Sequence, residues 1–303
     1  MKKFILRTLT FLILATVVMV VLDLCLTSKL NKREFGPYAC WNDILHHNIS
    51  ADMLIMGSSR AWVHVSPAIL DSALHTNSYN LGQNGSKFDR QYTRYLIYRK
   101  HNPKPKVILQ TIDFYTLSAT TGYEHYQYFP YFYDKDFRKL FFPSEPFTLA
   151  DKTLPFYRYA NFGVRNLFDD KRLPVKGYYA SEKIWDTDTV SDDETIQSIF
   201  NPDVVDSFEQ FLDETQKEGI QVILVHTPIH ASFTRHHIDL DEMWDKYNSI
   251  ASKYNVPILN YQFDTLCENT DYFYNNMHLN REGAEIFTRQ LAEDLKDLIK
   301  IEQ

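Results

Sequence analysis

The sequence predicts an α/β protein: a doubly wound, mainly parallel sheet of five strands with helices on both faces, preceded by an N-terminal transmembrane helix. Three observations carry this expectation. Short apolar runs ending in turn residues alternate with amphipathic stretches between residues 52 and 299, the pattern of strands buried on both faces and joined by crossover helices. From Thr8 to Leu22 no residue is charged. Residues 114–200 then interrupt the alternation with an aromatic-rich insertion.

The apolar N-terminal stretch extends to Thr27, 20 residues from Thr8, broken only by Asp23. A helix of that length reaches about 30 Å, the thickness of a bilayer's hydrocarbon core. Lys2, Lys3 and Arg7 precede it, so the positive-inside rule places the N-terminus in the cytoplasm and everything after Thr27 outside. A cleaved signal peptide shares this charge layout, but its apolar region is shorter and ends in small residues, which Leu22–Leu26 does not supply. Asp23, near the outer end, is expected to reach the headgroups. The organisation read from this is a cytoplasmic tip and signal anchor at 1–27, a connector at 28–50 with an apolar bite at Tyr38–Trp41, and an α/β domain at 51–303.

Within that domain Asp52–Met56 reads as the first strand and Asn77–Leu81 as the second, with helical spacing at Pro67–Leu74 between them. Lys87–Lys100 is the next helix and Lys106–Ile112 the third strand. After the insertion come a charged helix at Val204–Lys217 stopped by Gly219, a strand at Ile220–Val225, a helix at Leu240–Tyr254 and a strand at Val256–Asn260. Asn280–Ile299 is a terminal helix with Asn280 as its cap. The insertion holds 20 Phe or Tyr residues from Phe114 to Tyr179. Two readings stand: rings packed on one another and on the sheet, or a lid that stacks rings on a sugar or acyl substrate.

Composition excludes some functions. A net charge of −7 and a pI near 5.9 lack the basic footprint a phosphate backbone demands, so nucleic acid is not an expected partner. Three cysteines make no disulfide framework. Cys25 lies in the apolar stretch, and Cys40 and Cys267 are either one bridge or two buried thiols. His226, His230, His236 and His237 do not form a metal set, because Pro228 keeps the first two off one helix face and no cysteine completes a zinc site. No metal or other cofactor is expected.

In an open parallel sheet, ligands bind beyond the carboxyl ends of the strands. The residues there are Gly57-Ser58-Ser59-Arg60 after strand one, Asn80–Ser86 after strand two, Asp113 after strand three, and Asn275–His278 before the last helix. A serine on a sharp strand-to-helix turn is exposed at the sheet edge with its N–H near a helix start, where an oxyanion is favoured, and a histidine from a later turn supplies a general base. Taken singly, Gly-Ser-Ser also serves as an ordinary helix cap, and His278 as a surface or capping residue.

Order and placement together resemble the SGNH-hydrolase superfamily, in four blocks covering most of residues 52–299. Gly57-Ser58-Ser59 matches the first block with Ser58 in place of the usual Asp, and Asn80–Gly85 the second. Asn275-Asn276-Met277-His278 followed by Leu279, Asn280, Gly283 and Ala284 matches the last, except that Asn275 stands where Asp is usual. The resemblance implies a three-layer, flavodoxin-like sandwich, with Ser59 as nucleophile, His278 as base, Asn275 as its orienter, and the Ser59 and Gly85 N–H groups as oxyanion donors. Asp264 and Asp271 are alternative acidic orienters. The family's third block supplies an Asn as a further donor; Asp113 occupies that neighbourhood and would repel an oxyanion unless protonated or turned away. Arg60 and Asn84 are the substrate-binding candidates, Arg60 for an anionic acceptor, with a solvated helix-start role as its alternative.

The anchor and the Gly-Ser-Ser block look most like extracytoplasmic branches such as the alginate O-acetyltransferases and the teichoic-acid D-alanyl-transfer proteins. That resemblance implies a serine-dependent acyltransferase or esterase on cell-surface glycans at the bacterial inner membrane, its C-terminal domain periplasmic, with a membrane-bound O-acyltransferase as partner. The competing expectation is a non-catalytic anchored module that binds glycan or such a partner.

Overall fold

A computed structural model describes residues 1–120, 125–141, 147–160, 173–186 and 194–299. The chain divides into two units, residues 43–121 with 174–303, and residues 1–42 with 122–173. Parts of the insertion, 121–124, 142–146, 161–172 and 187–193, lie outside the described residues, and with them part of the lid expectation.

In order along the chain come α1 (Lys2–Leu30), α2 (Pro37–Leu45), β1 (Met53–Met56), α3 (Ser59–His64), α4 (Pro67–Leu74), β2 (Ser78–Asn80), α5 (Phe88–His101) and β3 (Val107–Thr111). The short helices α6 (Lys135–Phe141) and α7 (Leu149–Thr153) follow, then α8 (Pro202–Lys217), β4 (Gln221–His226), α9 (Ala231–Thr234), α10 (Leu240–Tyr254), β5 (Ile258–Asn260), β6 (Phe273–Asn275), β7 (His278–Leu279) and α11 (Arg281–Lys296).

In the larger unit the first five strands form one parallel sheet in the order β2-β1-β3-β4-β5. This is the doubly wound order whose direction reverses between β1 and β3, the switch point at which such sheets open a crevice. Helices α3 and α4 pack with α11, and α5 packs with α8, so the sheet is covered on both sides. Met53 and Ile55, Val107 and Leu109, and Ile223 and Val225 alternate along their strands to build one core with Leu70 of α4 and Phe287, Leu291 and Leu295 of α11. Burial on both faces is why these strands read as unbroken apolar runs. Helix ends follow local chemistry: Asn201 caps α8 by accepting from the N–H groups of Asp203 and Val204, and Asn280 caps α11 by accepting from Gly283. Gly219, at φ +71°, turns the chain from α8 into β4.

The smaller unit is built on α1, whose residues from Phe4 to Leu24 expose apolar side chains. The helix is long and apolar enough to cross a membrane. Its C-terminal end is different. Asp23, Thr27 and Leu30 are buried, and Asp23 does not reach outward as the sequence led us to expect. Its carboxylate pairs with the Arg158 guanidinium at 2.7 Å, each side chain 2% exposed, and accepts the Phe156 N–H at 2.8 Å. Thr27 and Tyr159 hydroxyls meet at 2.8 Å beside them, and Arg158 lies over the rings of Phe132 and Tyr159. A second aromatic cluster surrounds the fully buried Trp41, with Tyr128, Phe137 and Phe141 edge-on to it. The described insertion rings between 128 and 159 thus pack on one another and on α1 and α2, while Phe114, Tyr178 and Tyr179 belong to the sheet unit. Cys40 and Cys267 are buried thiols, so the bridge between them is not formed.

A buried ion pair that loses one member leaves an uncompensated charge, at a cost of about 3–5 kcal/mol, whereas replacing both members with apolar residues is often neutral or better. Asp23→Leu and Arg158→Met, measured singly by thermal unfolding of the full chain in detergent, are therefore expected each to destabilise. The double variant should recover most of the loss, and strictly additive losses would show that the two side chains do not depend on each other.

Candidate active site

The residues at the switch point are placed by backbone geometry first. Gly57 leaves β1 at φ +149°, and a Cβ there would lie 1.8 Å from the Thr111 Oγ1 and 2.9 Å from the Ala61 Cβ. Only glycine permits β1 to turn this closely under α3 against the end of β3. Ser58 is the N-cap residue and Ser59 the first residue of α3. The loop after β2 runs alongside: Leu81 and Gln83 donate their N–H groups to Ile55 and Gly57. The Asn80 amide ties the same loop to α3, donating to the Ala61 and Val65 carbonyls and accepting from Gly82. Gly85 follows in a turn at φ +64°, and Asn84 beside it is exposed. Among the described residues, neither Ser59 nor Gly85 gives its N–H to another backbone group.

The histidine arrives on an element the sequence reading had taken for a plain turn. Strands β6 and β7 pair antiparallel, with Phe273 opposite Leu279 and Asn275 opposite His278. The hairpin is held over the carboxyl end of the sheet from two sides: the Leu279 N–H donates to His64 Nε2 at 3.0 Å, and the Asn276 carbonyl accepts the His230 N–H at 3.1 Å. Gly283 allows the next step, since a Cβ there would lie 2.2 Å from the Tyr272 carbonyl oxygen, so the start of α11 closes directly on the hairpin.

These constraints bring together side chains 219 positions apart. Ser59 Oγ lies 2.8 Å from His278 Nε2, and His278 Nδ1 lies 3.0 Å from Asn275 Oδ1. The same Asn275 oxygen accepts the Met277 N–H at 3.0 Å. An N–H can only donate, so the amide atom facing the ring is its oxygen. Nδ1 therefore carries the proton, and Nε2 turns its lone pair to Ser59. Asn275 is thus the group that meets the ring at Nδ1; Asp264 is occupied at the Leu266 N–H and the Gln290 amide. The Tyr274 ring stacks on the imidazole, centroids 5.2 Å apart. Burial, reinforced by the Arg60 charge, lowers the His278 pKa to about 4, so the ring is neutral and available as a base through mildly acidic pH.

Two expected roles are overturned. Arg60 is neither a solvated helix-start residue nor a binder of an anionic acceptor: it is 2% exposed, donates to the Ile112 carbonyl at 3.0 Å and pairs with Asp113 at 3.1 Å. Asp113 is not an oxyanion donor. Its carboxylate accepts from the Ser58 hydroxyl, the Tyr115 N–H and the Thr116 hydroxyl as well as from Arg60. Burial alone would raise its pKa, but Arg60 and Lys87 outweigh that and hold it below the usual carboxylate value. Asp113 is thus an ionised structural anchor that grips the residues on both sides of Ser59.

His64 is a site residue the sequence reading missed. It is fully buried and kept neutral by burial and by the neighbouring His278 and Arg60. Because Nε2 accepts from Leu279, Nδ1 must carry the proton and donate it to the Thr227 Oγ1 at 2.8 Å. The other histidines are spread over separate tasks: His230 caps α9, His236 bonds the Glu194 carbonyl, and His237 meets Ser198.

At the Asn275 position a carboxylate would favour the charged imidazolium, shifting the His278 pKa upward by roughly 1–3 units. Ser59 acylation is expected to lose rate only as pH falls through about 4, because protonation of Nε2 removes the base. In Asn275→Asp this acid limb should move up while the rate at pH 7 rises. The pH dependence of labelling by a fluorophosphonate reads both, and an unmoved limb would remove Asn275 from this role.

No protein-family model and no curated protein sequence matches the chain. Solved structures similar to it include an acetyl xylan esterase, 13% identical over 82% of this chain and 99% of that chain at a TM-score of 0.41. A protein assigned to the G-D-S-L lipolytic family from Desulfitobacterium hafniense is 11% identical over 80% and 97%, at 0.40. A GDSL-like lipase from Bacteroides thetaiotaomicron is 10% identical over 80% and 87%, at 0.37. The chain has the doubly wound, mainly parallel five-stranded sheet that the sequence resemblance implied.

Proposed function

We propose that this chain is a membrane-anchored, serine-dependent O-acyltransferase or esterase acting on acyl esters of cell-surface glycans, its catalytic unit on the outer side of a bacterial inner membrane. The observation that carries the proposal is the hydrogen-bonded series Ser59 Oγ, His278 Nε2, His278 Nδ1 and Asn275 Oδ1, with the base in the tautomer that the chemistry requires.

In the first half-reaction Ser59 Oγ attacks the acyl carbonyl and its proton passes to His278 Nε2. The oxyanion is received by the N–H groups of Ser59 and Gly85. Collapse breaks the ester bond, the leaving alcohol takes the proton from Nε2, and the acyl group stays on Ser59. In the second half a sugar hydroxyl or water gives its proton to His278 Nε2 as it attacks the acyl-serine. The Ser59 ester bond breaks, the acyl group leaves on the acceptor, and Ser59 Oγ takes the proton back from Nε2. Anchoring favours transfer over hydrolysis, since a membrane-bound O-acyltransferase partner would present the donor at the same surface. Among the described residues, Asp113 stands where the resemblance implies a third oxyanion donor, and it is committed to Arg60 instead. One such donor is worth about 10²–10³ in rate, so turnover is expected to be slow relative to a full set.

The competing reading is a non-catalytic module that binds glycan or the membrane partner, and it draws on the same Asp113 position. Incubating the detergent-solubilised full chain with a fluorophosphonate separates the two. Labelling should be abolished in Ser59→Ala and in His278→Ala reduced by orders of magnitude, while Ser58→Ala stays labelled. A folded wild type that resists labelling would leave the binding module as the reading.

A further inference from the structure

Helix α1 changes its surroundings within one turn. Its apolar side chains are exposed from Phe4 through Leu24, whereas Asp23, Thr27 and Leu30 are covered. Among the residues that cover them are Phe156, Arg158 and Tyr159, together with Tyr38 and Phe129. The segment of residues 149–159, the crossing segment, is fixed to the helix at the level of Asp23 by the Phe156 N–H and by Arg158. This crossing segment is therefore tied to the depth at which the exposed apolar surface of α1 ends.

The outer surface of the crossing segment is itself apolar. Helix α7 closes its own N-terminus with a capping box between Thr148 and Asp151, and it buries none of its side chains. Leu149 is 76% exposed, Leu154 53% and Tyr157 49%. Leu149 thus stands outward from a helix that fills no core, and Leu154 and Tyr157 stand outward from the chain that follows it, in a segment tied to a helix whose own apolar side chains are equally bare. Exposed apolar area costs roughly 25 cal/mol per Å² in water, and tyrosine and leucine at such a depth are what a membrane interface accommodates.

We propose that Leu149, Leu154 and Tyr157 form a second membrane contact, seated in the headgroup and upper acyl region of the outer leaflet beside α1. The occupant is lipid, because Leu154 and Tyr157 lie within a few residues of Phe156 and Arg158, which bind the helix at Asp23, where its run of exposed apolar side chains ends. This rests on the reading of α1 as a membrane span and extends it. The buried Asp23–Arg158 pair then sits just above the hydrocarbon, shielded by aromatic rings, and locks the insertion to the helix so that both enter the interface as one body.

Depth-resolved quenching tests this on the full chain in phosphatidylcholine–phosphatidylglycerol vesicles. In a Cys25→Ser background, with Cys40 and Cys267 buried, an environment-sensitive fluorophore is placed through Leu14→Cys, Leu149→Cys or Leu154→Cys. Lipids carrying a nitroxide near the headgroup are expected to quench the labels at 149 and 154. Lipids with the nitroxide near the chain end should quench the label at 14. If the label at 14 is quenched and those at 149 and 154 are not, the patch faces water or protein and the second contact is wrong while the anchor stands. If the label at 14 is also silent, the anchor reading itself is overturned, and this inference with it.

Discussion

The site depends on the ion pair between Asp113 and Arg60. Opposite charges at the carboxyl ends of adjacent strands β1 and β3 meet inside the protein, where an unpaired charge is expensive. Asp113 also receives the Ser58 hydroxyl, so one carboxylate fixes the residue before Ser59 and the residue after it. The nucleophile is thereby held between two restrained neighbours on a turn that only Gly57 can make. The same pair sets the electrostatics of the base. Arg60 acts on His278 to lower its pKa and Asp113 acts to raise it, with burial the larger influence.

The replacement of the usual acidic orienter by Asn275 separates two contributions normally supplied together. A carboxylate both selects the imidazole tautomer and stabilises the imidazolium that forms during reaction. In the serine proteases the Asp-to-Asn change is costly, about 10⁴ in rate, mainly because it yields the wrong tautomer. Here the Met277 N–H binds the Asn275 oxygen and fixes which amide atom the ring meets, so the tautomer is retained. Only the stabilisation of the charged ring is given up. Burial, followed by the Arg60 charge, holds the His278 pKa low, which leaves the ring unprotonated at low pH while making it weaker as a proton acceptor.

Much of the fold was legible because its signals are local. Five apolar runs, each closed by a turn residue, the cap at Asn280 and the stop at Gly219 need no knowledge of distant partners. The serine, the histidine and the asparagine were legible for a different reason, since each stands at the carboxyl end of a predicted strand or at the start of the last helix. What stayed hidden depends on pairings. The roles of Arg60 and Asp113 follow only once β1 and β3 are known to be neighbours, although both charges lie directly beyond their strands. His64 has no local signal, because its acceptor role is set by the Leu279 N–H, 215 positions away. The β6–β7 hairpin escaped notice because its paired residues are too few for a periodicity to show.

Asp23 makes the same distinction at the N-terminus. A carboxylate in an apolar helix is visible in the sequence as an interruption, and its cheapest local resolution is to reach water. The structure resolves it differently, with a guanidinium 135 positions later, surrounded by Phe132, Tyr133 and Tyr159 rings that accept a cation on their faces. Neutralising Asp23 in place removes any need for the helix end to seek solvent, and it gives the aromatic insertion a fixed attachment to the helix. The density of Phe and Tyr in that segment then has a physical reason independent of substrate: rings pack a small core around a charge pair that must be kept dry, and the few apolar side chains left outward stand where the exposed apolar part of the helix ends.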